Sequence, residues 1–419
     1  MNLRSNDYDV AIVGGGAAGL ATAIFAARRN PSLRIGLLES AKRPGAKILV
    51  SGGGRCNVTN RTVRPEDFLG GNPRLIARAL SAFSARDAER FFVDLGVRLH
   101  EEPNGKLFPD SNSARTVLEA LLGEVERLGV HLIAGHRVTD IAADAGGFAL
   151  TLVSEQETRL NAGRVVLATG GQSLPKTGSD GFGYELARRL GHSIRTTTPA
   201  LAPLLLDGEF HVALSGISHD AEMRLLAPGC KPRCLEGALL WTHFGVSGPL
   251  AMNASRFFLQ AVAAGGAPGI ALNFLPGGTL ESAERRIIDL AGSQPRTQLH
   301  TALATLLPAR VALRLLETIG VEGRVPLAHL NREDRLRLAT ALTAWPLPVR
   351  GSRGYGFAEA TAGGVPLEEI QMKTMESRRC PGLHLVGEIL DVDGRIGGFN
   401  FQWAWSSGFI AGQAVAREG

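Results

Sequence analysis

The amino-terminal segment alternates between strand and helix patterns in a way that is typical of a parallel α/β sheet. Residues 10–13 form an apolar run that suits a short buried strand, and a helical segment follows it as far as Asn30 and Pro31. Residues 34–38 form a second apolar run, and Glu39 comes directly after it. The order strand, helix, strand predicts a βαβ unit at the start of the fold.

Later segments repeat these two patterns. The spacing of apolar positions predicts helices at residues 73–95, 113–128, 184–190, 280–342 and 402–416. Apolar runs bounded by turn residues predict strands at residues 97–109 (a hairpin), 131–141, 148–153, 159–160, 164–171, 221–226, 235–241 and 383–386. The strand-like pieces of residues 197–274 are short and broken by Gly and Pro, which indicates a separate β domain. A helical region follows, and strand and glycine patterns return from Tyr355 onward.

Three glycines follow the first strand with the spacing of a dinucleotide-binding turn. Gly14 allows the tight turn, Gly16 lets the backbone approach a pyrophosphate, and Gly19 lets the helix pack closely on the strand. The phosphate is expected at the positive end of the helix. Glu39 stands where an acid binds the hydroxyls of an adenosine ribose, and its charge would repel a 2′-phosphate. The unit therefore favours FAD or NAD over NADP.

Further segments carry glycine and polar residues suited to a flavin nucleotide. The loop after Glu39 contains SGGGRCN, whose backbone N–H groups can surround an anion or a flavin edge. The strand that ends in ATGG favours FAD over NAD, and the final helix is expected to point its positive end at the flavin. The predicted cofactor-binding residues are Gly14, Gly16, Ala17, Ala18, Gly19, Glu39, Ser40, Lys47, Ser51, Gly52, Gly53, Gly54, Arg55, Cys56, Asn57, Val138, Ala168, Thr169, Gly170, Gly387, Glu388, Asp393, Gly398, Asn400 and Phe401.

Three residues are candidates for catalysis. Cys56 lies in the cofactor loop beside Arg55, and a thiol with a pKa of about 8.5 can donate a proton at neutral pH. The alternative is that Cys56 is a small buried residue that packs beneath the flavin. His243, in WTHFGVSGP, has no partner acid for hydrolase chemistry, so it either binds substrate or has a structural role. Glu388 is the third candidate.

Composition limits the class of protein. The 419 residues indicate two or three domains, and 44% hydrophobic with 20% charged residues is typical of a globular protein. The net charge of +5 permits a polyanionic partner, but no block of consecutive Lys or Arg stands out, so a solvated basic surface is the simpler interpretation. The chain shows no signal segment and no apolar run long enough to span a bilayer, so we expect a cytoplasmic protein without membrane contact. The spacing of Cys230 and Cys234 does not predict a metal site, and four cysteines do not suggest a disulfide framework.

Taken together, the motifs resemble one family. GGGAAG with Glu39, SGGGRCNVTN, ATGG, THFGVSGP, TAGGV with TMES, and GEILDVDGRIGGFNFQWAWSSG with IAG are similar to the bacterial BaiN-like (YhiN-type) FAD flavoproteins over nearly the whole chain. The resemblance implies an α/β fold in which residues 1–194 and 352–419 form a glutathione-reductase-like Rossmann FAD-binding domain. It implies a β-barrel-like inserted domain at residues 195–278 and 343–351 and a helical inserted domain at residues 279–342. It also implies FAD as cofactor and, for relatives, reduction of a conjugated carbon–carbon double bond in a steroid enone or in a uracil ring of large-subunit ribosomal RNA.

Three functions are consistent with this sequence. The first is an FAD-dependent reductase, in which NAD(P)H or another donor reduces the flavin and a hydride passes to an electron-poor double bond. The second is a reductase that converts uridine to dihydrouridine in large-subunit ribosomal RNA, which the basic charge favours. The third is a flavin-bearing binding protein without turnover. The substrate, the electron donor and the oligomeric state are left open.

Overall fold

The computed structural model describes residues 7–144, 146–226 and 232–417. The chain divides into two compact units, one made of Met1–Thr198 and Glu359–Gly419 and the other of Pro199–Ala358. The α-helices are α1 Ala17–Arg29, α2 Ala46–Val50, α3 Pro73–Ala82, α4 Ala85–Asp94, α5 Ala114–Arg127, α6 Phe182–Arg189, α7 Gly248–Ala263, α8 Leu280–Ser293, α9 Leu299–Leu303, α10 Ala309–Ile319, α11 Arg332–Thr343 and α12 Phe399–Val415. The strands are β1 Tyr8–Val13, β2 Ile35–Glu39, β3 Thr59–Asn60, β4 Phe68–Gly70, β5 Leu99–Glu102, β6 Lys106–Pro109, β7 His131–Ala134, β8 Arg137–Asp144, β9 Gly147–Val153, β10 Glu157–Leu167, β11 Arg195–Ala200, β12 Leu204–Leu206, β13 Ser218–Leu226, β14 Arg233–Thr242, β15 Gly245–Ser247, β16 Gly269–Asn273, β17 Trp345–Leu347, β18 Val349–Ser352, β19 Ala360–Gly364, β20 Ile370–Gln371, β21 Glu376–Ser377, β22 Leu383–Leu385 and β23 Val392–Gly394.

The first unit is built on a sheet in the order β20-β21-β22-β10-β1-β2-β7. β1 runs parallel to both β10 and β2, and Val13 lies opposite Leu167 on one side and Leu38 on the other. The carboxyl ends of these three strands therefore reach the same edge of the sheet, where ligands of open α/β sheets bind. The chain leaves that edge at Gly14, at Ala168 and at Ser40.

Two helices from opposite ends of the chain pack against each other in this unit. A Cβ atom at Gly408 of α12 would lie 2.8 Å from the carbonyl oxygen of Ala18 in α1. One turn further on, a Cβ atom at Gly412 would lie 2.8 Å from the Cβ of Phe25. Because only glycine leaves room for this approach, these two positions set the distance between α1 and α12.

Several predicted segments are divided in the structure. The predicted helix at residues 73–95 is α3 and α4, because Ser84 begins a new helix: its hydroxyl accepts from the N–H of Asp87, whose carboxylate accepts from the N–H of Ser84 at 2.9 Å. The predicted strand at residues 131–141 is β7 and β8, with Gly135 between them at a φ of +76°. Conversely, the predicted strand at residues 159–160 is part of the long strand β10, and β9 pairs with β10 in the antiparallel direction.

The second unit contains an antiparallel sheet in the order β17-β16-β13-β14-β15-β12-β18. Its two outermost strands, β17 and β18, follow each other in the chain with Pro348 alone between them. A sheet whose two edge strands are separated by one residue in the chain has to curve. The barrel-like form of this domain stays a prediction.

The helices α8 to α11 share a hydrophobic core with this sheet. Phe274 follows β16, and its N–H donates to the carbonyl of Leu342 in α11 at 2.8 Å. Both side chains belong to the buried cluster that also contains Trp241 and Leu272 of the sheet. The first unit extends to Thr198 and resumes at Glu359, whereas the prediction placed these boundaries at residues 194 and 352.

Two sequence predictions, on membrane-spanning segments and on the pair Cys230 and Cys234, can be compared with the structure. In the part of the chain that is described, the helices are too short or too polar to cross a bilayer. Cys230 lies outside the described residues, and Cys234 is an exposed free thiol.

The packing of α12 on α1 can be tested with one methyl group. We expect Gly412→Ala to lower the free energy of unfolding by about 1–3 kcal/mol, because the added methyl group forces the two helices apart. Gly123 of α5 is the matched control, since a Cβ atom there meets nothing within 4 Å. Gly123→Ala should raise stability by up to about 1 kcal/mol through helix propensity. Urea denaturation of both variants measures the difference, and equal effects would show that Gly412 does not limit the packing.

Candidate flavin-binding site

The glycine turn after β1 is closed on one side and open on the other. Gly14 has a φ of +112°, and a Cβ atom there would collide with the carbonyl oxygen of Ala168. A Cβ atom at Gly19 would collide with the carbonyl oxygen of Gly14. At Gly16, by contrast, a Cβ atom meets nothing within 4 Å. Gly14 and Gly19 are therefore required by the fold itself, while Gly16 faces space in which a ligand can lie.

The start of α1 suits a phosphate group. Gly16 caps the helix without a side chain, and the first turn, which begins with Ala17 and Ala18, carries no acidic residue. The N–H groups of a helix start need an acceptor, and the helix dipole favours negative charge at this end. The pyrophosphate of FAD would satisfy both requirements.

Glu39 is held rigidly at the end of β2. Its Oε2 accepts from the N–H of Gly15 at 2.8 Å, and its Oε1 accepts from the N–H of Ala41 at 2.8 Å. The carbonyl of Glu39 accepts from the N–H of His136 at 3.0 Å, just before the strand that contains Val138. The predicted ribose acid and the strand that contains the predicted cofactor-binding residue Val138 therefore lie beside the glycine turn.

The ATGG segment contains a polar atom that requires a partner. The N–H of Ala168 donates to the carbonyl of Val13 at 2.8 Å, so this segment crosses next to the glycine turn. The Oγ1 of Thr169 is buried, and no described residue forms a hydrogen bond with it. A buried hydroxyl group without a partner costs about 1–3 kcal/mol. A Cβ atom at Gly183 of α6 would collide with this oxygen, so the Thr169 side chain packs against α6. Gly170 follows with a φ of +73°, where a side chain would strain the backbone.

The SGGGRCN loop presents three left-handed glycines in succession. The φ angles of Gly52, Gly53 and Gly54 are 55°, 70° and 85°. A Cβ atom at Gly53 meets nothing within 4 Å, so the outer face of this loop is open. Successive N–H groups in such a loop form a concave site for an anion or an electron-rich ring edge.

The charge of Arg55 is largely used within the protein. Its guanidinium group pairs with the carboxylate of Glu102 and lies 4.2 Å from the ring centre of Phe108. The same arginine lowers the pKa of Glu102, because it stabilises the carboxylate. Arg55 thus fastens the loop to the hairpin of β5 and β6, and its contact with the cofactor stays a prediction.

The environment of Cys56 does not favour the proposed proton donor. Its side chain is fully buried, and this burial raises the pKa of the thiol to about 12. A thiol in this environment holds its proton at neutral pH and is a weak acid. This burial is compatible with the alternative, in which Cys56 is a small buried residue beneath the flavin, and its catalytic role stays a prediction.

A polar network joins four separate segments of the chain. Lys47 Nζ donates to Glu388 Oε2 at 2.7 Å and to the hydroxyl of Ser173 at 2.9 Å. Glu388 Oε1 accepts from the Ser173 hydroxyl at 2.7 Å and from the N–H of Thr361 at 2.8 Å. Both oxygens of Glu388 are therefore engaged, so this carboxylate holds the segments in position, and its catalytic role stays a prediction. The sequence analysis missed Ser173 and Thr361, although Thr361 begins the TAGGV motif and Ser173 follows ATGG closely.

The closing helix α12 holds the cofactor loop from behind. The hydroxyl of Thr59 donates to Gln402 Oε1 at 2.6 Å, and the indole N–H of Trp405 donates to the carbonyl of Val58 at 2.9 Å. Asn400 forms two hydrogen bonds with the backbone of Gly394, which shapes the turn into the helix. The remaining predicted residues of this region lie on or beside these elements: Ser40, Ser51, Asn57, Gly387, Asp393, Gly398 and Phe401.

His243 belongs to the second unit. It lies exposed in the turn between β14 and β15, and its ring meets Phe244 edge to face at 5.1 Å between centres. Its role in catalysis stays a prediction.

Comparison with known proteins identifies the family. The model of the HI0933-like protein Rossmann domain matches residues 8–414. The chain belongs to this family. A ribosomal RNA dihydrouridine synthase of Escherichia coli K12 is 35% identical over 97% of both chains. A 3-dehydro-bile acid delta(4,6)-reductase of Clostridium scindens is 32% identical over 97% of this chain and 99% of its own.

Two solved structures confirm the fold class. A variant of Escherichia coli quinol fumarate reductase FrdA aligns with a TM-score of 0.51 at 18% identity, over 98% of this chain and 70% of its own. The 3-ketosteroid delta1-dehydrogenase of Sterolibacterium denitrificans aligns with a TM-score of 0.52 at 14% identity, over 98% of this chain and 100% of its own. The BaiN-like family and the Rossmann-type FAD-binding fold are thus confirmed. The protein is an FAD-dependent oxidoreductase.

A valine at Gly16 separates cofactor binding from folding. The backbone of Gly16 has a φ of −84°, which any residue adopts, and the space around it is open. We expect Gly16→Val to keep the thermal stability of the FAD-free protein and to weaken FAD binding about five- to hundredfold, as crowding of about 1–3 kcal/mol implies. Gly123→Ala serves as control for both measurements. Unchanged FAD affinity, measured by equilibrium fluorescence quenching, would show that FAD does not approach Gly16.

The burial of Cys56 predicts its reactivity. In the native protein at mildly alkaline pH, iodoacetamide should modify the exposed Cys234 and leave Cys56 and Cys380 unmodified, because only thiolates react and burial raises the pKa of both buried thiols. Peptide mass mapping before and after unfolding in urea measures the difference. Rapid modification of Cys56 in the folded protein would restore it as a candidate acid.

Proposed function

We propose that this protein reduces a carbon–carbon double bond that is conjugated to a carbonyl group. The observation that carries the proposal is the full-length match to two relatives with different named substrates but the same kind of reaction. One is named for a bile acid delta(4,6)-reductase activity, and the other for making dihydrouridine, which differs from uridine by two hydrogens across the ring double bond. The shared chemistry is the addition of hydrogen to such a bond.

The residues of this chain supply binding and orientation for that reaction. Bound FAD supplies the hydride chemistry, which protein side chains do not have. The start of α1 at Gly16 binds the pyrophosphate, Glu39 binds the ribose, and the glycines of the SGGGRCN loop hold the flavin. Lys47 and Glu388 form an ion pair at 2.7 Å, which holds α2 against the turn that follows β22. The positive end of α12 stabilises negative charge at the electron-rich part of the flavin.

A uridine of ribosomal RNA is the second candidate substrate within this reaction class. Two relatives carry the name ribosomal RNA dihydrouridine synthase, the second being a Haemophilus influenzae protein that is 32% identical over 97% of this chain. The net charge of +5 is compatible with a polyanionic substrate. NAD(P)H is the electron donor that we expect to visit the flavin.

The two half-reactions can be measured separately. We expect the purified protein to carry FAD and NADH or NADPH to bleach it under anaerobic conditions, with the yellow colour returning on addition of an acceptor. A conjugated dienone steroid and a uridine-containing ribosomal RNA transcript are the two acceptors to compare, with a saturated steroid and a dihydrouridine transcript as controls. Mass spectrometry should show a gain of two hydrogens in the accepted substrate. A flavin that either donor reduces but that neither acceptor oxidises would contradict the proposed reaction.

A further inference from the structure

An exposed group of aromatic and cationic side chains lies in the second unit. The guanidinium carbon of Arg353 lies 3.3 Å from the ring centre of Phe357 and 4.5 Å from that of Phe244. The ring of His243 lies against Phe244 at 5.1 Å. These four residues, His243, Phe244, Arg353 and Phe357, form what we call the stacking patch.

The stacking patch is accessible from solvent. Phe357 leaves 48% of its surface exposed, and His243 is exposed as well. Phe244 and Arg353 are partly buried, so the ring of Phe357 is the main apolar surface that the patch presents to solvent. The guanidinium group of Arg353 packs against both Phe357 and Phe244, so it braces the Phe357 ring and places a positive charge beside it. The exposed part of the Phe357 ring offers a flat face on which a second ring can stack.

The backbone holds the stacking patch in place. His243 and Phe244 form the turn between β14 and β15, while Arg353 and Phe357 follow β18. β12 lies between β15 and β18 and pairs with both, which fixes the two segments relative to each other. The N–H of Arg353 also donates to the carbonyl of Pro203 at 3.0 Å. The patch is therefore built before any ligand arrives, so binding costs little ordering of side chains.

We propose that the stacking patch binds an unpaired base of single-stranded RNA. Unpaired bases are recognised by stacking on aromatic side chains and on arginine planes, and the charge of Arg353 also attracts the neighbouring phosphate. Residues 199–358 contain fifteen Lys and Arg against twelve Asp and Glu, which gives this unit a positive balance. A saturated alicyclic ring has no π-face to stack, so the patch fits a nucleobase better than a steroid. The inference rests on the ribosomal RNA form of the proposed function.

Binding of a fluorescein-labelled oligouridylate, followed by fluorescence anisotropy, tests the proposal on the FAD-loaded protein. Phe357→Ala should weaken binding about five- to hundredfold, as the loss of one base stack of about 1–3 kcal/mol implies. Phe357→Trp should retain binding, because the ring face is kept. Val262→Ala, which truncates a hydrophobic residue of α7 that is 46% exposed, is the matched control and should bind as the unchanged protein does.

Each other outcome overturns the stacking patch as a base-binding site. Equal binding by Phe357→Ala and the unchanged protein would do so, and so would equal binding of an oligomer of the same length in which the bases are replaced by abasic sites. Absence of oligouridylate binding together with a Phe357-dependent affinity for the dienone steroid would assign the patch to a flat lipid instead. The flavin spectrum and the oxidation of reduced flavin by the steroid are recorded for every variant. If neither the steroid nor the RNA oxidises the reduced flavin of the unchanged protein while RNA binding is intact, the result counts against the proposed function and not against the patch.

Discussion

The close approach of backbone to backbone at glycine is the constraint on which the first unit depends. At Gly14 the turn after β1 passes directly against Ala168, and at Gly19 the helix α1 packs back on that same turn. At Gly408 and Gly412 the last helix packs closely against α1, and a Cβ atom at either position would be too near to α1. Each of these contacts requires a missing Cβ atom, and together they bring the two ends of the chain to one edge of the sheet. The candidate flavin site lies at this edge, so it depends on the same close contacts.

Some polar groups of the site are paired within the protein, and other positions of the site face open space. Arg55, Lys47 and Glu388 are paired within the protein, so their main contribution is to fix loops that come from distant parts of the chain. Gly16 and Gly53 have open space beside them. A cofactor that adds phosphate oxygens and hydroxyl groups at these positions completes hydrogen bonds that the protein leaves open. This division explains why FAD suits the site better than a ligand without phosphates.

The relatives share a reaction and differ in the molecules that their names mention. Such a difference is expected when the redox chemistry belongs to the cofactor, since the cofactor site can stay constant while other surfaces select the substrate. The second unit carries its own features, among them the exposed Phe357 and the positive charge balance of residues 199–358.

The sequence by itself determined the features that have a local cause. The turn at Gly14, the acid at Glu39 and the family were predicted, because each depends on residues that are near one another in the chain. Helix and strand boundaries were less well predicted: the capping pair of Ser84 and Asp87 divides one predicted helix into two. Ser84 and Asp87 are close enough in sequence for this to have been recognised.

Only the tertiary structure decided what depends on contacts between distant residues. The burial of Cys56 and the pairing of Arg55 with Glu102 both come from segments that fold back on the cofactor loop. The partners of Glu388 lie at Lys47, Ser173 and Thr361, and no spacing along the chain indicates that they meet. The sheet and the last helix determine where these residues lie in space. That placement raises the pKa of the Cys56 thiol through burial and brings the Glu388 carboxylate to its partners.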